Sequence, residues 1–283
     1  MKRFITSILL VAVATLTAQN STSTDWQLAG LKGKVKSQRN IPYTVEIKEN
    51  KLVKGTVDKD LDSGKIANLD NLQKDFNPEG YLTQMRFYLN DGSLYSRMEY
   101  YYAPNGNLFE TRYNSDKTLY AYNAQGHLVK DATYSPGGFL KRHYAYEVDA
   151  QGKVLKEETY QANELTGSIA YSYDKYGNPT EMRYYDVEGN LQNRVETKYN
   201  KQHLAVRNRT YDAAGKLLNV VRKKYNEQGD CVWLESEDRM PKKQKNTATY
   251  QYSYDLQGNW TSKTTFINGE ARQIIERTLN YYE

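Results

Sequence analysis

The sequence predicts an all-β fold, an antiparallel meander of hairpin repeats, and two observations carry that prediction. Tyrosine-led turns recur along the chain: YNAQGH at 122–127, YDKYGN at 173–178, YDVEGN at 185–190, YDAAGK at 211–216, YNEQGD at 225–230 and YDLQGN at 254–259. Between the turns, bulky and small side chains alternate, as in Ile169 to Tyr173 and at Tyr250, Tyr252 and Tyr254. Such a period of two residues is typical of β-strands.

Successive turns lie 12 to 14 residues apart, so the repeat has a period of about 26 residues and contains two turns. A step of this length accommodates one strand and one tight turn, whereas a helix and a strand would need more residues. About seventeen strands follow from this spacing, and twisted open sheets rarely exceed ~10 strands without curling or splitting. We therefore expect the sheet to coil into an open shell or a spiral, with alternate turns on opposite rims.

The turns have a physical explanation in their first and fourth residues. An Asp or Asn at the first position accepts hydrogen bonds from the backbone that follows it. Glycine at the fourth position supplies the positive φ that a hairpin loop with a bulge demands. The predicted structural turn glycines are Gly126, Gly152, Gly177, Gly189, Gly215, Gly229 and Gly258.

The ends of the chain differ from the repeat. Residues 1–18 resemble a secretory signal peptide, because Lys2 and Arg3 precede a short apolar stretch and small residues follow it. Cleavage after Ala18 is the favoured choice, and the segment at Ala12 to Ala14 is the alternative. Residues 19–68 are expected to form a linker and a β cap over the first edge strand, and residues 69–283 the repeat domain. We expect an exported protein without a transmembrane segment after cleavage, in the periplasm, at the cell surface or secreted.

Composition and motifs argue against several functional classes. The chain has a net charge of only +5 and lacks the concentrated basic stripe of a nucleic-acid-binding protein. The three histidines and the single cysteine, Cys231, match no zinc motif, and no nucleophile elbow or glycine-rich phosphate loop occurs. The sequence therefore predicts a protein that is not an enzyme and that has no catalytic, metal or cofactor site.

The chain contains 27 tyrosines and 3 tryptophans, and these aromatic side chains have two interpretations. Cross-strand aromatic pairs stabilise a sheet, which accounts for most of them. Exposed aromatic faces also stack on sugar rings or on a partner protein. The candidate ligand-contacting aromatics are Trp233, Trp260, Tyr171, Tyr173 and Tyr252.

The repeated Y-x-Y-D-x-x-G-N pattern resembles the YD repeat of the rearrangement-hotspot (RHS) family over residues 69–283. The segments Leu31 to Ser37 and Tyr252 to Tyr282 are similar to the ends of small exported members from Bacteroidetes. The resemblance implies an exported all-β repeat protein, often described as carbohydrate-binding. Because the repeats run to the last residue, we expect no toxin domain here. YYAPNGNL at 101–108 also resembles MORN-type repeats, although the Tyr-Asp and Gly-Asn pairs favour the first family.

The leading hypothesis is an exported, non-catalytic binding or scaffold protein that recognises a polysaccharide or another cell-envelope component. The alternative is a protein–protein interaction or immunity-type module that contacts an envelope protein. A glycan-acting enzyme is the third hypothesis, and it would need two carboxylates ~5–10 Å apart in a groove. The oligomeric state does not follow from the sequence.

Overall fold

The computed structural model describes residues 23–58 and 69–283, so the predicted signal peptide at 1–18 and part of the predicted cap lie outside the described residues. One short helix, α1 (Asp25–Leu28), precedes a sheet of nineteen strands. The strands are β1 (Val35–Lys48), β2 (Lys51–Val57), β3 (Leu72–Phe76), β4 (Leu82–Tyr88), β5 (Leu94–Tyr102), β6 (Leu108–Tyr113), β7 (Asp116–Tyr122), β8 (Leu128–Tyr134), β9 (Leu140–Val148), β10 (Val154–Gln161), β11 (Glu164–Tyr173), β12 (Pro179–Tyr185), β13 (Leu191–Tyr199), β14 (Ala205–Asp212), β15 (Leu217–Tyr225), β16 (Cys231–Asp238), β17 (Gln244–Tyr254), β18 (Trp260–Ile267) and β19 (Glu270–Tyr281). No helix among the described residues has the length and apolar character needed to cross a membrane.

The sheet closes on itself, and the prediction of an open shell or a spiral was wrong. Strands β3 to β19 pair consecutively and antiparallel, as the meander prediction required. Strand β1 then pairs with β19 on one side, where Asn40 faces Arg277, and with β3 on the other, where Gln38 faces Lys74. The closed ring, a barrel, thus contains eighteen of the nineteen strands. The physical reason is that the N-terminal segment 19–68 supplies a strand that satisfies both sheet edges at once.

Strand β2 stands outside the ring. It pairs only with the second half of β1, from Tyr43 to Lys48. The hairpin turns at Glu49 and Asn50, which both have positive φ. The β1–β2 hairpin therefore extends the wall of the barrel at one end and adds no further strand to its circumference.

The turns alternate between the two ends of the barrel. The end that we call the tyrosine rim carries the five-residue turns 77–81, 103–107, 123–127, 149–153, 174–178, 200–204, 226–230 and 255–259. The opposite rim carries the turns 89–93, 135–139, 186–190 and 212–216. Most of the tyrosine-led motifs seen in the sequence therefore meet at one end of the molecule.

The two faces of the wall differ in chemistry, because side chains alternate along each strand. The inner face carries tyrosines and a few buried polar groups, and registers such as Asp131 opposite Tyr144 and Tyr146 opposite Glu157 place these groups side by side. Ion pairs occupy the outer face, for example Arg222 with Glu235 at 2.6 Å. Six of the buried apolar residues form two small clusters, one of Leu128, Tyr146 and Val154 and the other of Val35, Phe76 and Leu82.

The N-terminal segment crosses the tyrosine rim before it enters the barrel wall. Thr24 caps α1 with a capping box. The Asp25 carboxylate accepts a hydrogen bond from the backbone N–H of Leu82 at 2.7 Å and from the Tyr102 hydroxyl at 3.0 Å. Further along, the Asn259 side chain accepts from the N–H of Lys32 at 2.8 Å and donates to its carbonyl at 2.7 Å. The segment 24–32 is thus fastened to the first and the last turns of this rim, on either side of the closing strands β1 and β19.

Candidate binding site at the tyrosine rim

The Asp or Asn at the first position of most tyrosine-rim turns organises the loop through its side chain. Asp174 Oδ1 accepts from the N–H groups of Tyr176 and Asn178, both at 2.9 Å. Asn200 makes the same two bonds to Gln202 and Leu204 at 2.9 Å. The pKa of the exposed Asp174 lies below its usual range, chiefly because the Asn178 side chain donates a hydrogen bond to the carboxylate and further because the N–H groups of Asn178 and Tyr176 do so. The aspartates therefore have a structural role in the turns.

The glycines singled out in the sequence all occupy the left-handed region of φ. Gly126, Gly152, Gly177, Gly189, Gly215, Gly229 and Gly258 have φ between 79° and 90°. Where a turn has no glycine, a non-glycine residue takes the same conformation, as His203 does at φ 61°. These residues shape the rims and lie at turn positions of the barrel.

Six tyrosine hydroxyls bond to backbone carbonyls and connect neighbouring turns of the tyrosine rim. Tyr199, which precedes the turn 200–204, donates to the carbonyl of Pro179, the first residue after the turn 174–178, at 2.8 Å. Tyr225 donates in the same way to Ala205 at 2.7 Å. The other donors are Tyr102, Tyr122, Tyr173 and Tyr252, which bond to the carbonyls of Leu82, Leu108, Val154 and Cys231.

Three of the five candidate ligand-contacting aromatics are therefore engaged within the wall. The hydroxyls of Tyr173 and Tyr252 serve these backbone bonds, and the Tyr171 hydroxyl donates to Glu157 at 3.3 Å. Trp233 lies on the outer face, opposite Thr249 and beside Lys224, whose ammonium is 5.1 Å from the ring centre. Only Trp260 and Tyr252 come together, with ring centres 6.2 Å apart on the inner face.

Trp260 is stacked against an arginine inside the barrel. The guanidinium carbon of Arg277 lies 3.2 Å from the centre of the indole ring. Its Nε donates to Asn40 Oδ1 at 3.1 Å, across the β1–β19 pair that closes the sheet. Burial lowers the pKa of Arg277 to about 9, because removal from water disfavours the charged form. Closure of the barrel therefore creates this arrangement.

Two lysines flank the stacked pair on the same inner face. Lys263 on β18 faces Ile275 of β19, two residues from Arg277, and its ammonium is 5.7 Å from the Trp260 ring centre. Lys74 on β3 lies on the other side of β1. The pKa of each lysine is lowered, chiefly by burial and further by the nearby charge of Arg277. Three cations thus line one side of the interior.

A cavity of about 260 Å³ opens beside the stacked pair at the tyrosine rim. Trp260 and Arg277 form its inner wall, Asp230 and Asn259 lie on the neighbouring turns, and Lys32 belongs to the N-terminal segment. The cavity therefore combines an aromatic ring with several hydrogen-bonding groups, as small-ligand sites commonly do. We take it as the candidate binding site.

The opposite wall of the interior holds two buried carboxyl groups. Asp131 is 7% exposed and accepts from the Tyr146 hydroxyl at 2.6 Å, and Glu157 is 8% exposed and accepts from Tyr171. Burial raises the pKa of both carboxyls. Each carboxyl is engaged by a tyrosine of the wall. Residues 23–58 and 69–283 contain no group of three or more metal-ligating side chains.

The sequence identified Trp260 but missed the residues that make its surroundings. Arg277 entered only as a part of the closing segment, Lys263 was not singled out, and Asn40 and Lys74 gave no signal. Their spacing in the chain is uninformative, because β1, β3, β18 and β19 become neighbours only when the sheet closes. An isolated lysine at an inward position of a strand that otherwise carries small polar residues is the one trace left in the sequence, at Lys263.

Comparisons with known proteins leave the family open. No family model and no curated protein matches the chain. Among solved structures, a porin-like protein from Bacteroides uniformis is 11% identical with a TM-score of 0.44, over 88% of this chain and 98% of that one. The complex TcdB2-TccC3-Cdc42 is 12% identical with a TM-score of 0.28, over 86% of this chain and 18% of that one.

A putative outer membrane lipoprotein-sorting protein domain from Vibrio parahaemolyticus is 9% identical with a TM-score of 0.19, over 90% of this chain and 89% of that one. At such identities and TM-scores these likenesses carry no argument about family or function. The all-β class rests on the described strands themselves. The resemblance to the rearrangement-hotspot family stays a prediction from the motif.

Proposed function

We propose that this chain is an exported, non-catalytic binding protein that holds a carbohydrate in the cavity at the tyrosine rim. The observation that carries the proposal is the position of Trp260, half-buried on the inner face and forming a wall of the cavity together with Asn259 and Asp230. Sugar recognition uses an aromatic surface for the apolar face of the ring and polar groups for its hydroxyls. Most other tyrosines of the rim are occupied in holding turns together.

Export is the second part of the proposal, and it is supported by the pattern of residues 1–18. A polysaccharide or another envelope component is then the ligand that the protein would meet in the periplasm or at the cell surface. Fractionation of cells that express the full chain checks this part. Recovery of the unprocessed chain from the cytoplasm would contradict export and leave the carbohydrate site to be judged separately.

A glycan array of bacterial and host polysaccharides, probed with residues 19–283, tests the binding function. We expect reproducible binding that Trp260→Ala abolishes, because the substitution removes the aromatic wall of the cavity. Trp233→Ala is the matched control, since Trp233 lies on the outer face and we expect its loss to leave binding unchanged. Thermal denaturation of both variants shows whether each still folds.

The alternative outcomes of this experiment are informative. Equal loss of binding in both variants would contradict the assigned cavity. A blank array with a folded protein would contradict carbohydrate binding and favour a protein partner, as an interaction or immunity-type module has. Turnover of any glycan, abolished by Asp131→Asn or Glu157→Gln, would contradict the non-catalytic part of the proposal.

A further inference from the structure

The cations of the inner face differ from those of the outer face in their partners. On the outer face, Arg222 pairs with Glu235 at 2.6 Å and Glu237 at 3.3 Å. On the inner face, Lys74 and Lys263 make no ion pair and no side-chain hydrogen bond to any residue in 23–58 or 69–283. Lys263 instead lies over the rings of Trp260 and Tyr250, at 5.7 and 6.0 Å from their centres, so the positive charge of this wall is not neutralised by direct ion pairs of the two lysines.

Arg277 is held in a fixed orientation with its terminal nitrogens free. The indole of Trp260 covers one face of the guanidinium, and Asn40 accepts from Nε. Across the described ranges, the two terminal nitrogens make no hydrogen bond. Because the guanidinium is planar, such a fork matches the two oxygens of a carboxylate.

The carboxylates near this wall are already engaged elsewhere or lie at a distance. Asp230 accepts from the Tyr254 hydroxyl at 2.8 Å. Asp25 accepts from Tyr102 and from the backbone of Leu82. Asp70 is within electrostatic range of Lys263 and has further interactions of its own. Asp230 and Asp25 form no ion pair with Arg277, Lys263 or Lys74 within the described part of the chain, although both act on this wall electrostatically.

The cavity gives a ligand access to Arg277 and Trp260, and Lys74 and Lys263 lie beyond its lining. Arg277 lines it directly, and Lys32 of the N-terminal segment adds a fourth cation at its mouth. The three interior cations lie on β18, β19 and β3, with β1 between the last two, and neighbouring strands are about 4.8 Å apart. A chain of a few sugar residues entering from the rim would meet Arg277 first.

We propose that the ligand is an acidic glycan, and that Arg277 binds the carboxylate of a uronic acid residue with Lys263 and Lys74 contributing attraction. This inference rests on the proposed carbohydrate-binding function and names the class of sugar. Trp260 then has two roles, since it forms the wall of the cavity and holds the guanidinium plane. Positive charge gathered on one wall also predicts affinity that falls as salt concentration rises.

Isothermal titration with hexagalacturonate and with its fully methyl-esterified form tests the inference, because the two probes share one sugar chain and the ester lacks the carboxylate charges. We expect the acid to bind at least tenfold more tightly than the ester. Arg277→Gln should weaken binding of the acid at least tenfold and leave the ester unaffected. Arg222→Gln is the matched control, since it removes an arginine from the outer face.

Loss of the fold would confuse the result, so the melting temperature of each variant is measured beside its affinity. Lys263→Gln and the salt dependence of the unmodified chain give independent readouts if Arg277→Gln fails to fold. Equal affinity for the acid and the ester, unchanged in Arg277→Gln, would overturn the acidic-glycan inference and leave the carbohydrate proposal standing. Absence of binding to both probes would also overturn it, and the glycan array then decides the proposed function separately.

Discussion

A positive φ is the property that the turn position of Gly177 imposes on its residue. Its φ of 86° lies where a Cβ clashes with the neighbouring backbone, and a Cβ there would also meet the flexible end of Lys153 at 3.2 Å. The lysine can move away, whereas the backbone clash stays. The position therefore selects glycine for conformation, and only secondarily for space.

Gly177→Val is expected to lower the free energy of unfolding by about 1–3 kcal/mol, because a β-branched residue takes this conformation with strain. Chemical denaturation of residues 19–283 measures the change. Gly177→Asn is the matched control and should cost less, since asparagine tolerates positive φ better than valine does. An unchanged midpoint for the valine variant would contradict the turn.

At the scale of the element, the strand pairs of the tyrosine rim are tied together by hydroxyl groups. Each bond runs from the tyrosine before one turn to the carbonyl after the preceding turn on the same rim, as from Tyr199 to Pro179. It therefore spans two strands and adds to the backbone ladder between them. Burial raises the pKa of Tyr199 to about 12, so the hydroxyl keeps its proton and can donate throughout the ordinary pH range.

Tyr199→Phe should lower the free energy of unfolding by about 0.5–1.5 kcal/mol, because it leaves the Pro179 carbonyl without its side-chain donor and keeps the ring in place. Tyr176→Phe is the control, as Tyr176 lies in an adjacent turn and is 66% exposed. Equilibrium denaturation of both variants compares them. A larger loss in the control than in Tyr199→Phe would contradict the assigned role of the hydroxyl.

The motif predicted the turns well, but it did not reveal the hydrogen-bond partner of the tyrosine that precedes each turn. The role of Asp174 and of Gly177 follows from a few neighbouring residues, so local sequence is sufficient to predict it. The partner of Tyr199 lies twenty residues earlier in the chain, at Pro179. The identity of this partner depends on the register between β12 and β13, which the repeated pattern does not reveal.

At the scale of the whole molecule, β1 decides between an open and a closed sheet. It supplies partners to β3 through residues such as Gln38 and to β19 through residues such as Asn40. This segment lies N-terminal to the repeat and does not share its period, so the sequence predicted a cap over the edge strand. An edge strand and a closing strand have the same alternating pattern, and only the presence of the last strand at the same place distinguishes them.

A chain that begins at residue 50 should lose closure, since it lacks β1 and exposes the edges of both β3 and β19. Unpaired edges recruit other chains, so we expect dimers or larger assemblies and a lower melting temperature. A chain that begins at residue 23 retains β1 and α1 and is the matched control. Size-exclusion chromatography with light scattering compares the two, and a stable monomer of the shorter chain would contradict the role of β1.

The residues of the candidate site were likewise predictable only where local sequence determines them. Trp260 stood out in the sequence because it follows a turn at a place where other units carry smaller residues. Arg277 and Asn40, which orient the site, lie 237 residues apart in the chain and meet only through the closing pair. The contact between Arg277 and Asn40 depends on the pairing of β1 with β19, which we call the seam, and the sequence does not predict that pairing.

Closure of the ring at the seam does not depend on the number of strands in the ring. Within the ring, the backbone of β1 pairs with β3 and β19 alone, so a two-strand unit added or lost in the middle of the meander would leave these two pairings unchanged. The circumference would change with the number of units, while the β19–β1–β3 pairing and the side chains of the candidate site beside it would persist. Duplication or loss of repeat units would thus widen or narrow the interior without rebuilding the candidate site.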